Sequence, residues 1–400
     1  MKTKYKIILI IISIILLLGI SIKSYNTYRI KHAKIEITFF NTDIEVYRKL
    51  HLKDLISSIN GKLVNNPKIN TNELGKQTIE FEFINNENIK VPYKVDINIV
   101  DTIPPIISKY NYLSTTVGDK DLAKKIFCGD NYDDKPKCIL EGEYDLNKPG
   151  VYNVTFKGID SSNNTSTTPI TLTVKPKTNY KSNTTTKFKL VGQDFEEIKK
   201  EYKNKNTKIG IDVSHWQGNI NYKKVKEAGV EFVFIRLGTQ KGRKGPYQLD
   251  KKFKENYEGF KKENIPRGVY FFSYADSKEE AERQAKWVVK QLKKYDLDLE
   301  VVFDWENWSS YQDYLLSFKH LNDVAETFMS TVEKNGYNSM LYSSKNYLET
   351  IWTNTKYKTW LAHYTKKTNY EGKYTYWQLC EDGVIDGIKE NNVDIDIMYK

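Results

Sequence analysis

Asp304 and Glu306 close the run Val301-Val-Phe-Asp-Trp-Glu306. On an extended strand, residues two apart share a face and lie roughly 6.5–7 Å from each other. The run before them is continuously apolar, the pattern of a strand buried on both faces. Most Asp-x-Glu pairs are two solvated carboxylates on a polar surface. Here the flanks Val301, Val302, Phe303 and Trp305 argue for burial. Two carboxyl groups in such a place are costly to ionise together, so one keeps its proton and stands as an acid beside a base. Asp212, at the end of the apolar stretch Ile209–Val213, is a third candidate, although Asp at a strand-to-loop boundary is also ordinary turn chemistry. Asp394 and Asp396 alternate with Val393, Ile395 and Ile397, and the sequence leaves open which of them faces the same place.

The elements that must position these acids begin at Lys208. Apolar strands are expected at Ile209–Val213, Phe232–Leu237, Val269–Ser273, Val301–Trp305, Met340–Ser343, Lys358–Ala362, Tyr374–Leu379 and Val393–Met398. Helices are expected between the earlier ones: Tyr222–Ala228, Phe253–Glu263, one from Ser277 to about Lys294, and one from Ser317 to Lys334. Ser277 caps its helix, with Glu279 and Glu280 in the first turn. Repeated strand–helix alternation gives a parallel sheet, and eight strands suggest closure into a barrel. With little helix between the last strands, the barrel is expected to be irregular. Chemistry in such barrels sits at the C-terminal ends of the strands, where Asp212, Asp304 and Glu306 fall.

Upstream, the chain is organised in pieces. Ile7–Ile22 is uncharged and apolar, set between Lys6 and Lys23. A 16-residue run is slightly short for a spanning helix and long for a cleaved signal core, and the flanking lysines extend it by snorkelling. Residues 1–33 are therefore read as a short cytoplasmic tip and a signal anchor, with a cleaved signal as the alternative. The bulk of the chain is expected outside the cytoplasm, on the cell membrane. Residues 34–101 and 102–175 resemble each other: Asn72-Glu-Leu-Gly75 precedes the strand Gln77–Phe83 as Asn147-Lys-Pro-Gly150 precedes Val151–Phe156. Short strands with turn signals suggest two small β-sandwiches. Residues 176–207 read as a linker rich in Lys, Asn, Thr and Ser, with a short helix near Phe195–Tyr202, and 208–400 as the C-terminal domain.

The net charge of +11 favours anionic partners, such as nucleic acid or an anionic cell envelope. No nucleic-acid-binding motif is present, and the glycine-rich Gly238–Gly245 lacks the Gly-Lys-Ser/Thr ending of a phosphate loop. No Cys/His spacing suggests a metal, and no cofactor is expected. Cys128 and Cys138 either pair outside the cell or stand as two thiols near a hairpin; Cys380 reads as a small buried residue.

In series, Asp212-Val-Ser-His-Trp-Gln-Gly218, Phe234-Ile-Arg236, Gly268-Val-Tyr-Phe-Phe-Ser273, Phe303-Asp-Trp-Glu306, Trp360-Leu-Ala-His-Tyr364, Trp377-Gln378 and Val393-Asp394 closely resemble glycoside hydrolase family 25, lysozymes of the N-acetylmuramidase type. The resemblance covers residues 208–400. It implies an irregular barrel of TIM type, with five βα units plus three strands. It also implies cleavage of the β-1,4 bond between N-acetylmuramic acid and N-acetylglucosamine in peptidoglycan glycan strands. Glu306 falls on the family's acid/base, Asp304 on its partner, and Asp212 and Asp394 on two further acids. Asp396 departs from the Asn common there. Tyr270, Tyr274, Trp305, Trp360, Tyr364 and Gln378 are expected to touch sugar, with a core role open for the aromatics. His215, His320 and His363 read as structural or sugar-contacting. The upstream repeats resemble bacterial immunoglobulin-like modules, through Asp130-Asn-Tyr-Asp133, Gly158-Ile-Asp160 and Asn163, and such modules serve as spacers or adhesive domains. A wall-binding protein without catalysis, and a glycosidase of another N-acetylated polysaccharide, are the competing expectations.

Overall fold

The structure is a computed structural model that describes residues 2–107, 112–119, 122–177, 192–353, 356–389 and 392–400. It divides into two compact units, Met1–Thr102 and Ile103–Lys400. The first opens with helix α1 (Lys2–Lys31), whose apolar part is long enough to cross a membrane and has a mean hydropathy of 2.7. An anchor and a signal sequence share these properties.

The two repeats share one strand order. In the first, a four-stranded sheet runs Asp43–Glu45, Lys90–Val100, Gly75–Asn85, Gly61–Leu63. In the second it runs Tyr112–Thr116, Thr165–Lys175, Gly150–Ile159, Lys137–Glu141. Each is built on a long antiparallel hairpin with a parallel strand on one edge and an antiparallel strand on the other. Each hairpin turn holds an Asn in the left-handed region, Asn88 and Asn163, a conformation Asn tolerates through local hydrogen bonding. In the second repeat, Val154, Phe156, Ile170, Leu172 and Val174 alternate along the hairpin to fill the core. Cys128 and Cys138 form a disulfide.

Residues 178–191 of the expected linker lie outside the described residues. Beyond them, Gln193–Asp194 joins the sheet of the C-terminal domain. Asp194 caps helix α2 (Phe195–Tyr202), whose Phe195 and Ile198 are buried in that domain's core.

The principal strands of the C-terminal sheet are β1 (Thr207–Val213), β2 (Val233–Gln240), β3 (Arg267–Phe272), β4 (Val301–Asp304), β5 (Ser339–Ser344), β6 (Lys358–Ala362), β7 (Tyr376–Val384) and β8 (Val393–Tyr399). β1 to β7 pair in parallel in sequence order, and β8 pairs antiparallel with both β7 and β1, so the sheet closes on itself. Helices α3 (Tyr222–Ala228), α4 (Phe253–Lys262), α5 (Lys278–Leu292), α6 (Phe318–Lys334) and α7 (Lys345–Thr350) follow β1 to β5; α7 was not foreseen from the sequence.

Alternation along the strands builds two cores. Outward residues such as Ile211, Val233, Ile235, Val301 and Phe303 pack under the helices. Inward residues Phe232, Phe234, Val302, Met340, Tyr342, Trp360 and Tyr376 fill the interior. Fully burying each such side chain stabilises the fold by about 1.5–3 kcal/mol. Glycine makes room for the interior rings: a Cβ on Gly268 would stand 2.3 Å from Phe234, and one on Gly210 2.6 Å from Phe232. The Gly238–Gly245 stretch is the end of β2 and the hairpin turn that leads to Tyr247–Leu249, not the start of a helix. Cys380 is fully buried, and burial pushes its thiol up to about 12.

Candidate active site

At the C-terminal ends of the parallel strands, beside the start of antiparallel β8, a cavity of about 220 Å³ is lined by Asp212, Arg236, Tyr270, Phe272, Asp304, Glu306, Tyr342, Trp360, Tyr364, Gln378, Glu381 and Asp394. Period-two alternation places them: Asp212, Tyr270, Asp304, Tyr342, Trp360, Gln378 and Asp394 all occupy inward positions on their strands. A larger cavity, about 890 Å³, opens among Trp352, Tyr357, Tyr374 and Tyr399, and no acid lines it.

Asp304 is 3% exposed, and its Oδ1 has no hydrogen-bond partner. Burial first, then the charge of Glu306, holds its carboxyl well above the usual range. Glu306, just past the strand, reaches solvent at the cavity mouth, yet the surrounding protein raises its pKa too. A hydrogen bond from Asp304 counters that rise, and the charge of Glu381 adds to it. The two carboxyls interact, so their protons come off in steps that belong to the pair and not to either residue.

Asp212 is pushed up to about 7 by burial, with Gln378 pulling it down and Glu306 raising it further. Gln378 Nε2 donates to Asp212 Oδ2 at 2.8 Å. Its Oε1 accepts from Tyr342 (2.8 Å) and Tyr364 (3.0 Å). Asp394 lines the cavity and is raised to about 10, by burial and then by the charges of Asp212 and Asp396. Asp396 lies deeper, fully buried, and accepts from Trp360 Nε1 at 2.8 Å. Of the two, Asp394 therefore faces the cavity. Arg236 is the one cation of the lining, and its guanidinium is held by Asp250, with Nε 2.9 Å and Nη2 2.8 Å from Oδ2. His215 bonds the same Asp250, His320 bonds Asp134, and His363 bonds Thr368.

Two expected contacts are not in the lining. Trp305 has no exposed surface; it packs among Trp308, Tyr311 and Tyr314 and donates to the Ala275 carbonyl. Lying between Asp304 and Glu306, it takes the opposite face of the extended chain and offers nothing to a ligand. Tyr274 stands beyond the end of β3 with its ring against Phe272, outside the lining. Conversely, Arg236, Phe272, Tyr342 and Glu381 belong to the cavity without having been singled out. The phase of alternation marks the first three, because each sits an even number of residues from an inward neighbour.

An acid pair with raised pKa values, walled by tyrosines whose burial keeps them neutral donors, can give a proton to a leaving oxygen and later withdraw one from water. A lining rich in acceptors, with its cation already engaged, suits a hydroxyl-bearing ligand and repels a phosphate.

Residues 211–388 match the family model described as Glycosyl hydrolases family 25. The chain is 27% identical over 185 residues to an uncharacterized protein of Escherichia coli (strain K12), YegX, covering 45% of this chain and 65% of that one. It is 28% identical over 193 residues to Lysozyme M1 of Streptomyces globisporus, covering 45% and 64%. It thus spans somewhat less than two thirds of the length of these curated relatives. Among solved structures, the modular autolysin LytC from Streptococcus pneumoniae, in complex with a synthetic peptidoglycan ligand, aligns at 28% identity with a TM-score of 0.44, over 49% of this chain and 48% of that one. The family match begins within β1, ends before β8, and contains Asp212, Asp304 and Glu306. Residues 211–388, in the C-terminal part of the chain, are thus similar to the glycosyl hydrolases of family 25.

Proposed function

We propose that the chain is a peptidoglycan hydrolase working outside the cytoplasm. Its bond is the β-1,4 linkage between N-acetylmuramic acid and N-acetylglucosamine. The observation that carries this reading is the coupled Asp304–Glu306 pair at the mouth of an acceptor-rich, tyrosine-walled cavity. The similarity to Lysozyme M1 supports the choice of polymer. In this reading the closed sheet is an irregular barrel of TIM type, the two repeats are immunoglobulin-like modules, and α1 is a retained signal anchor.

Glu306, protonated and nearest to solvent, donates to the leaving oxygen. Asp304 orients the substrate's N-acetyl group, whose oxygen attacks the anomeric carbon. Glu306 then takes a proton from water as water opens the cyclic intermediate, so configuration is retained. Asp212 and Asp394 hold the sugar and tune the pair; Tyr270, Trp360 and Tyr364 bind it.

Glu306→Gln keeps the shape of the side chain and removes its proton chemistry. It is expected to lower release of new reducing ends from purified peptidoglycan by about 10³-fold or more, with an unchanged melting temperature. Lysis surviving in that variant sinks the assignment. Binding without new reducing ends in the wild type favours a wall-gripping protein, and mass analysis showing cleavage only of another N-acetylated polymer changes the substrate. An initially inverted anomer by NMR excludes the substrate-assisted route.

A further inference from the structure

We infer that the second repeat is a positioning element of the active site: Phe127 and Asp134 hold segment 305–318, which carries Glu306, in its working conformation. This rests on Glu306 being the acid/base. A spacer would leave the repeat free of the sheet domain, and the structure shows it built into that domain.

The contact has an apolar part and a polar part. The ring of Phe127 lies 5.0 Å from Tyr311, 5.8 Å from Tyr347, 6.2 Å from Phe318 and 6.3 Å from Trp308. Behind it the backbone comes so close that a Cβ on Gly129 would stand 2.5 Å from the Tyr311 ring and 2.6 Å from that of Phe318. The polar part completes helix α6. A helix N-terminus leaves four backbone N–H groups without partners inside the helix. Ser317 Oγ accepts from His320 N, but the amides of Phe318 and Lys319 donate to the carbonyls of Asp130 (2.7 Å) and Asn131 (3.4 Å). The Asp134 carboxylate takes the Ser317 amide at 2.6 Å and lies 2.7 Å from His320 Nδ1, a negative charge at the positive end of the helix. The loop supplying these groups is closed by the Cys128–Cys138 disulfide.

From there the path to Glu306 is short. Trp308 packs on Tyr347 at 3.7 Å and on Trp305 at 4.7 Å. Trp305 directly precedes Glu306 and is pinned to Ala275; Asn307 directly follows it and donates to the Ser273 carbonyl at 3.0 Å. The acid/base therefore sits on a segment whose underside is aromatic and whose far end is capped by the repeat. Small displacements of a reacting group are expensive in rate: about 1 Å costs on the order of a hundredfold.

The test uses the full chain with Phe127→Ala, Asp134→Ala and Asp134→Asn. Both alanine variants are expected to lose about tenfold in kcat on purified peptidoglycan, with KM within about twofold, a partial displacement by the same measure. Asn retains an oxygen that accepts the Ser317 amide, so Asp134→Asn restores kcat. Hydrogen exchange should quicken at 305–318 while Val301–Asp304 and Val233–Gln240 keep their protection. If Phe127→Ala does not fold, the Asp134 pair decides alone. Unchanged kcat and unchanged exchange at 305–318 overturn the proposal, as does protection lost evenly over the domain. Wild-type protein that releases no reducing ends defeats the hydrolase reading instead, and the exchange measurement still reports whether the repeat holds the segment.

Discussion

Gln378 joins Asp212 to Tyr342 and Tyr364: one amide nitrogen fixes the carboxylate and one amide oxygen takes both phenols. Besides lining the cavity, it holds Asp212 and accepts from both tyrosines. Gln378→Ala removes the acceptor that the two hydroxyls share, deep in the cavity, and frees the carboxylate. Leaving a buried polar group unsatisfied costs about 1–3 kcal/mol, so kcat should fall roughly tenfold to a hundredfold and stability by about 2 kcal/mol. Tyr342→Phe removes a single bond and should cost roughly 1 kcal/mol in stability. Steady-state kinetics and thermal unfolding of both variants check the ordering; an alanine variant no worse than Tyr342→Phe contradicts it.

Glu381 adds to the upward shift of Glu306. Its charge is among the influences that raise the Glu306 carboxyl, after burial. Glu381→Gln removes it, so Glu306 should lose its proton at lower pH. The alkaline limb of the kcat/KM profile, where the proton donor disappears, is expected to move toward acid, with the rate at acidic pH little changed. A limb that stays in place, or moves to higher pH, contradicts this coupling.

The acids were legible in the sequence because a strand's alternation is strict and the apolar run ending at Glu306 announces burial. The same alternation assigns Trp305 to the opposite face, so its place under the helices was also readable. Glu381 was not. β7 is bulged twice between Gln378 and Gly383, and each bulge resets the phase, so Cys380 joins the outer core and Glu381 turns into the cavity.

The closed sheet follows from strands alternating with helices, and the repeats from their matching turns. What the sequence hid is contact between distant segments. The stretch Gly129–Lys137 is polar and looks solvated, but its carbonyls and Asp134 serve the N-terminus of α6 nearly two hundred residues later, 183 positions on in the case of Ser317. No local pattern encodes that partnership; the orphan amides of α6 show the need and not the supplier.

Buried carboxyls in this cavity should also make the fold less stable as pH rises. Asp212 has a folded-state pKa of about 7 against an ordinary 3.8. A raised acid binds more protons folded than unfolded, so its stabilising contribution is complete below about pH 4 and is lost as pH climbs to about 7. Asp304, Asp394 and Asp396 shift the same way and add to the slope. Asp212→Asn cannot ionise, and its amide oxygen still accepts from Gln378. The variant should therefore show a shallower fall in melting temperature between pH 4 and 7 than the wild type and gain on it toward neutrality, while below pH 4 the two curves run parallel. Thermal unfolding followed across pH 3 to 8 decides this. A slope left unchanged by Asp212→Asn would mean that Asp212 ionises as freely in the folded chain as in the unfolded one, and that its burial beside Glu306 does not control its charge.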